Sequence, residues 1–223
     1  MAETGQLRLP FDDTPGYEAV DFVVASSNEA AMSWLGREDW PDRRLAIWGP
    51  EGCGKTHLLR VWADPRQAPV LDGPALGGLP DLPLNGGVAV DDADRIVDAE
   101  ALLHLLNTAR DRGLFVLLAA RTAPARWAVP LPDLSSRLRA ISAVGIEAPD
   151  DTLLEVLVMR AMAQRQLEIP ANLARYLVRH GTRSAAGVLD AVQRLDEASL
   201  AEGRPITRPF AAEILGLKPS AEE

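Results

Sequence analysis

Short runs of apolar residues alternate with longer stretches of helical periodicity through the first two thirds of the chain. The runs fall at 45–48, 69–71, 88–90, 114–119 and 143–146. Each is apolar on both parities and bounded by turn residues, the pattern of a parallel strand covered on both faces. Between them the spacing predicts helices over 55–63 and 98–112. Strands that alternate with helices imply a parallel sheet covered by helices. After Pro149 the strand pattern ends. Leu153, Leu154, Leu157, Val158 and Ala161 form a helical stripe over 150–166, and further helices are predicted over 171–179, 184–201 and 209–215. Pro149, Pro170 and Gly181 punctuate these segments. The expected layout is an extended polar arm over 1–16, an α/β domain over 17–148 and a small all-helical domain over 149–223.

The first chemistry appears where the run at 45–48 meets the helix at 55–63. The intervening string reads Gly49-Pro50-Glu51-Gly52-Cys53-Gly54-Lys55-Thr56, which is the full G-x-x-x-x-G-K-[ST] spacing between a strand and a helix. The glycines let backbone N–H groups turn inward around phosphates. The helix beginning at Lys55 adds the positive end of its dipole. Lys55 is expected on the β- and γ-phosphates, and the Thr56 hydroxyl on Mg2+. Cys53 sits at a variable position of the loop and reads as a small residue that fits. The run at 88–90 ends in Asp91-Asp92. A carboxylate at the end of a central strand suits a magnesium site, so Asp91 is assigned to the metal. Asp92 is placed to polarise an attacking water.

Composition narrows the class. Apolar residues make up 47% and charged residues 25% of 223, as in ordinary globular proteins. No run approaches the ~20 apolar residues of a membrane span. The N-terminus lacks the basic and apolar regions of a secretory signal. Cys53 is the only cysteine, which rules out an intrachain disulfide and suits a cytoplasmic location. The net charge of −9 argues against a protein whose main task is to grip duplex DNA, so any DNA contact is expected to be indirect or weak.

Loop, acidic pair and helical C-terminal part together resemble AAA+ ATPases, and within them the group of the bacterial replication initiator DnaA. The segment Asp21-Phe22-Val23-Val24-Ala25-Ser26-Ser27-Asn28 is similar to the one that packs around adenine in that group. The resemblance therefore assigns Phe22, Val23 and Val24, with the loop residues and His57, to the nucleotide. Ser136-Arg137-Leu138 resembles the box that carries the arginine finger, and Gly181-Thr182-Arg183 resembles the sensor-2 motif. Arg137 is thus implied to act on a neighbour's γ-phosphate, and Arg183 to fold back onto the protein's own nucleotide. The string Ala119-Ala120-Arg121-Thr122 departs from the pattern. The group usually offers a hydroxyl or acidic residue there to sense the γ-phosphate; Ala119 offers neither, and whether Arg121 or Thr122 substitutes stays open. The 223 residues also show no counterpart of the initiators' helix-turn-helix or long N-terminal domains.

In their place the arm carries Gln6-Leu7-Arg8-Leu9-Pro10-Phe11. It resembles the short peptide by which many bacterial proteins dock on the sliding clamp of DNA polymerase. Gln6 suits a hydrogen bond at a pocket rim, Leu7, Leu9 and Phe11 suit apolar pockets, and Pro10 reduces the entropy lost on docking. Joined to a DnaA-like module, the arm implies a regulator of replication initiation. Such a protein binds ADP or ATP with Mg2+, docks on the clamp and promotes hydrolysis of DnaA-bound ATP. Homodimerisation is compatible with it. Three other readings stay open: an autonomous AAA+ ATPase acting as helicase loader or transposition helper, an adaptor that never activates hydrolysis, and a small-molecule kinase.

Overall fold

The computed structural model describes residues 22–217, apart from 168 and 170. The five apolar runs become β1 (Arg44–Trp48), β2 (Val70–Asp72), β3 (Gly87–Asp91), β4 (Phe115–Ala120) and β5 (Ser142–Gly145). They form one sheet in the order β2-β3-β4-β1-β5, with every neighbouring pair parallel. The strand carrying the phosphate loop is therefore flanked by β4 and β5.

Alternate residues of the central strands feed two separate cores. Ala46, Val88, Val90, Val116 and Leu118 point to one face, where α3 (Ala99–Asp111) and α4 (Pro132–Ala140) cover them with Leu102, Leu105, Leu106, Leu134 and Leu138. Leu45, Ile47, Ala89, Leu117 and Ala119 point to the other. There α1 (Glu29–Leu35) and α2 (Lys55–Ala63) supply Ala31, Leu35, Leu58, Leu59 and Trp62. A period of two with both faces covered explains why these runs read as continuously apolar.

The C-terminal helices α5 (Asp151–Gln164), α6 (Ala171–His180), α7 (Ala185–Glu202) and α8 (Arg208–Leu215) enclose a third core. Leu154, Val158, Leu173, Leu177, Val188, Val192, Leu195 and Phe210 fill it. Side chains cap three of these helices at their start. Asp150, Ser184 and Thr207 accept hydrogen bonds from the N–H groups of Leu153, Gly187 and Phe210.

The periodicity did not predict α4. Its buried residues are Leu134 and Leu138 alone, one pair four apart, too sparse for a visible stripe. Pro132 at the first helical position was the available sign.

One cap ties a loop to the start of α3. Asp98 precedes α3, and its two carboxylate oxygens accept from Ala101 N at 3.0 Å and Gly78 N at 3.1 Å. These N–H groups, Ala101 first, hold the Asp98 carboxyl below its usual range. A depressed folded value stabilises the fold above the unfolded pKa of about 3.9 and loses that stabilisation as pH falls through the folded value. The melting-temperature deficit of Asp98→Ala should therefore be full at neutral pH and shrink on acidification below about pH 4. Thermal denaturation of both proteins across pH checks this, and a deficit independent of pH would remove the assignment.

Candidate nucleotide site and an arginine-lined groove

The phosphate loop leaves β1 in a confined space. Gly49 N donates to Ala120 O at 3.2 Å, and a β-carbon on Gly49 would lie 2.2 Å from Ile146 O. Two flanking strands thus squeeze the loop's first residue, and only glycine fits. Gly54 caps α2 with φ of +98°, a left-handed conformation suited to glycine. No side chain caps the first turn of α2, which leaves its amides to an anion. Lys55 is buried, with its Nζ donating to Gly49 O at 2.9 Å and Pro50 O at 2.8 Å. Its charge lies directly beneath the turn. Burial pushes the Cys53 thiol up, against the opposing effect of Lys55, so it is a packed side chain and a poor nucleophile.

The acid that ends β3 ties the start of α2 to the sheet. Thr56 Oγ1 donates to Asp91 Oδ2 at 2.7 Å, and Asp92 N donates to Asp91 Oδ1 at 2.9 Å. A hydroxyl and a carboxylate brought together at the head of a phosphate-binding helix fit Mg2+, which takes one or two protein oxygens and completes its shell with phosphate and water. Among the described residues no group of three or more His, Cys, Asp or Glu forms a self-sufficient metal cage. Asp92 is left-handed at φ 47°, and its Oδ2 accepts from Arg95 Nη1 at 3.0 Å. The carboxylate assigned to the attacking water is thus engaged by Arg95.

Asp94 was not singled out from the sequence, and Arg121 was left open there. Asp94 Oδ2 accepts from Arg121 N at 3.0 Å, while its Oδ1 is buried without a hydrogen-bond partner. Arg121 Nη2 pairs with Glu51 Oε2 of the loop at 3.1 Å. The string Ala119-Ala120-Arg121-Thr122 left Arg121 open as a residue of the site, but nothing in it pointed to Glu51 as its partner.

At the far side of the loop, Phe22 stands edge-on to His57 at 5.3 Å between centroids. A β-carbon on Gly54 would lie 3.8 Å from the Phe22 ring. Phe22 and Val23 are partly buried and Val24 is exposed. Buried Asn28 fixes this segment, accepting from Ala25 N and donating to Val23 O, both at 3.0 Å. The helical part approaches from above. Ala185 N donates to Gly52 O at 3.2 Å, and a β-carbon on Gly52 would fall 2.5 Å from Ser184 Cβ. Arg183 is one residue away, but its guanidinium donates to Asp151 within the helical part. The structure therefore brings the Arg183 backbone near the loop while its side chain is held by Asp151 at the start of α5.

Arg137 sits on α4, away from these groups. Its Nε and Nη2 donate to the two oxygens of Asp133, each at 3.1 Å. Both line an open groove of ≈ 460 Å³ with Asp42, Arg44, Arg110, Ser136 and Ala140. Arg44 is buried and donates to Leu106 O at 2.9 Å. Burial holds its guanidinium below the ordinary value. Asp42 opposes that shift, while Arg137 and Arg110 add to it. Gln6, Leu7, Leu9, Pro10 and Phe11 lie outside the described residues.

Comparison with known proteins places this geometry. Domain III of Thermotoga maritima DnaA is similar with a TM-score of 0.75 at 18% identity, over 91% of this chain and 96% of that one. AMPPCP-bound DnaA from Aquifex aeolicus matches with a TM-score of 0.65 at 19% identity, over 85% of this chain and 67% of that one. Residues 150–215 match the lid domain of Hda. An uncharacterised protein of Haemophilus influenzae is 29% identical over 77% of this chain and 80% of its own. Sheet and lid define an AAA+ nucleotide-binding fold of the DnaA-related type. Over residues 150–215 the chain is similar to the Hda lid domain, and its core has the fold of DnaA domain III. No helix among the described residues is long and apolar enough to cross a membrane.

Proposed function

We propose that this protein restrains chromosome replication by delivering Arg137 to ATP held on DnaA, while the arm at Gln6, Leu7, Leu9, Pro10 and Phe11 docks on the polymerase sliding clamp. The observation that carries the reading is Arg137 at an open groove on a DnaA-like core that bears an Hda-type lid. An arginine held through both Nε and Nη2 is oriented before it meets a phosphate, and its fork geometry matches phosphoryl oxygens. In trans, such a group stabilises charge that develops during phosphoryl transfer.

The protein's own nucleotide has a different task. ADP or ATP lies on the loop, with the base beside Phe22, Val23 and Val24 and the phosphates on Lys55 and the amides of α2. Thr56 and Asp91 hold Mg2+, which neutralises phosphate charge when bound. The lid meets the loop through Gly52 and Ala185, so a bound nucleotide stiffens the joint between core and lid. Asp92 is occupied by Arg95, which favours a structural nucleotide over an autonomous motor. Arg183 reaches the phosphates by exchanging Asp151 for them.

Hydrolysis of DnaA-bound ATP with DNA-loaded clamp tests the reading. Leu9→Ala should abolish clamp binding and stimulation while nucleotide affinity stays unchanged. Retained clamp binding would sink the docking claim, and multiple-turnover hydrolysis by the isolated protein would favour the motor.

A further inference from the structure

We infer that the groove beside α4 is a polyphosphate seat, in which Arg110 grips the phosphate chain of the ATP that Arg137 acts on. The inference rests on Arg137 meeting a partner's ATP, and it adds the residue that binds that ATP's phosphates.

The three cations of the groove come from three elements. Arg44 begins β1, Arg110 is in the last turn of α3, and Arg137 lies on α4. Leu106 and Ala109 turn into the core, and Arg110 follows them at the edge of the helix. Arg44 Nη2 donates to Leu106 O at 2.9 Å, one helical turn before Arg110. That carbonyl brings the buried guanidinium of Arg44 to the foot of Arg110. Burial lowers the Arg44 value most, and repulsion from Arg137 and Arg110 adds to it against Asp42. The three guanidiniums therefore stand within reach of one another's fields.

Their charges are not answered within the groove. Three guanidiniums share its lining with two carboxylates. Asp133 takes both donors of Arg137, and Asp42 acts on Arg44. Arg110 pairs with Asp111, its chain neighbour and not a lining residue, through Nε at 3.4 Å and Nη2 at 3.5 Å. Both side chains are more than half exposed, and such a pair contributes little and exchanges readily. Arg110 thus brings a positive charge that no carboxylate of the groove neutralises. In a chain of net charge −9 this is a local excess against the general sign.

Shape selects the anion. The groove's ≈ 460 Å³ falls within the roughly 300–1,000 Å³ of small-ligand sites. Guanidiniums spread along an open groove suit a chain of phosphates, each with a two-oxygen face, where one carboxylate would satisfy one cation. Arg137, oriented by Asp133, meets the terminal phosphate. Arg110 leaves Asp111 and binds further along the chain, and Arg44 stays on Leu106 O and supplies charge beneath.

Two measurements decide it. The first is calorimetric titration with inorganic tripolyphosphate of the full chain carrying Lys55→Ala, which silences the phosphate loop. Binding should be seen, adding Arg110→Ala should weaken it about tenfold, the loss of one charged phosphate contact, and Arg110→Lys should keep part of it. The second is hydrolysis of DnaA-bound ATP with loaded clamp. There Arg110→Ala should raise the protein concentration for half-maximal stimulation about tenfold, whereas Arg137→Ala lowers the maximal rate. Tripolyphosphate binding that is absent or indifferent to Arg110→Ala would overturn the inference, as would a half-maximal concentration that does not move. A shift in that concentration without tripolyphosphate binding would put a partner's carboxylate on Arg110, and would overturn it too. Absence of stimulation by the unaltered protein would instead overturn the reading beneath, and the titration would still decide the groove.

Discussion

Replacing Arg137 with alanine should lower the stimulated hydrolysis of DnaA-bound ATP by about 10³-fold or more, the size of effect an arginine supplied in trans has on phosphoryl transfer. The geometry favours a change confined to that step. Arg137 is a partly buried residue of α4 at the groove, whereas Leu134 and Leu138 make that helix's core contacts. Its side-chain hydrogen bonds are to exposed Asp133, so removal leaves no buried group stranded. Affinity for the protein's own nucleotide, clamp binding and melting temperature should stay near the unaltered values. Arg137→Lys should recover little, because an ammonium does not reproduce the fork. A single-turnover assay of DnaA-bound ATP with loaded clamp measures the effect, and undiminished stimulation by Arg137→Ala would remove the arginine-finger assignment.

The second large effect belongs to Lys55. Its ammonium lies 2.9 and 2.8 Å from the carbonyls of Gly49 and Pro50, close to where the phosphates would sit. Alanine there removes a buried cation next to an anion and leaves both carbonyls short of a donor. Charged hydrogen bonds contribute about 1.5–3 kcal/mol each, so nucleotide affinity should fall about 100-fold. The rise in melting temperature on adding ADP should vanish with it, since ligand-linked stabilisation follows binding. Arg137 and Asp133 are on another element, so the groove should be intact. Calorimetry and thermal melts with and without ADP check this. Unchanged affinity would mean that the phosphates lie elsewhere.

The sheet was readable because burial on both faces leaves a continuous apolar run, and each of the five runs became a strand. Their ends shifted where a polar residue was absorbed. Arg44 breaks the apolar pattern, yet it begins β1, because Leu106 O on α3 is there to accept from it. Nothing local in the sequence announces that carbonyl. The phosphate loop was equally legible, since its chemistry is written in consecutive residues. The Thr56–Asp91 pair joins two motifs whose roles were already assigned. Glu51–Arg121, Asp94 on the Arg121 backbone and Gly52 beneath Ser184 were hidden, because each joins elements whose proximity only the folded sheet and lid create. Arg183 illustrates the converse. Its motif was visible, but Asp151 takes its side chain.

Gly52 occupies one of the positions that the phosphate-loop pattern leaves free. Here that freedom is already spent. Its φ of +75° disfavours a side chain, and Ser184 fills the space where one would go. Ser184 caps α7 through Gly187 N, and a β-carbon on Gly187 would in turn strike Thr182. The spelling of the nucleotide loop is therefore constrained from a distant part of the chain. Transplanting another protein's phosphate loop onto this core would require recutting the lid to match.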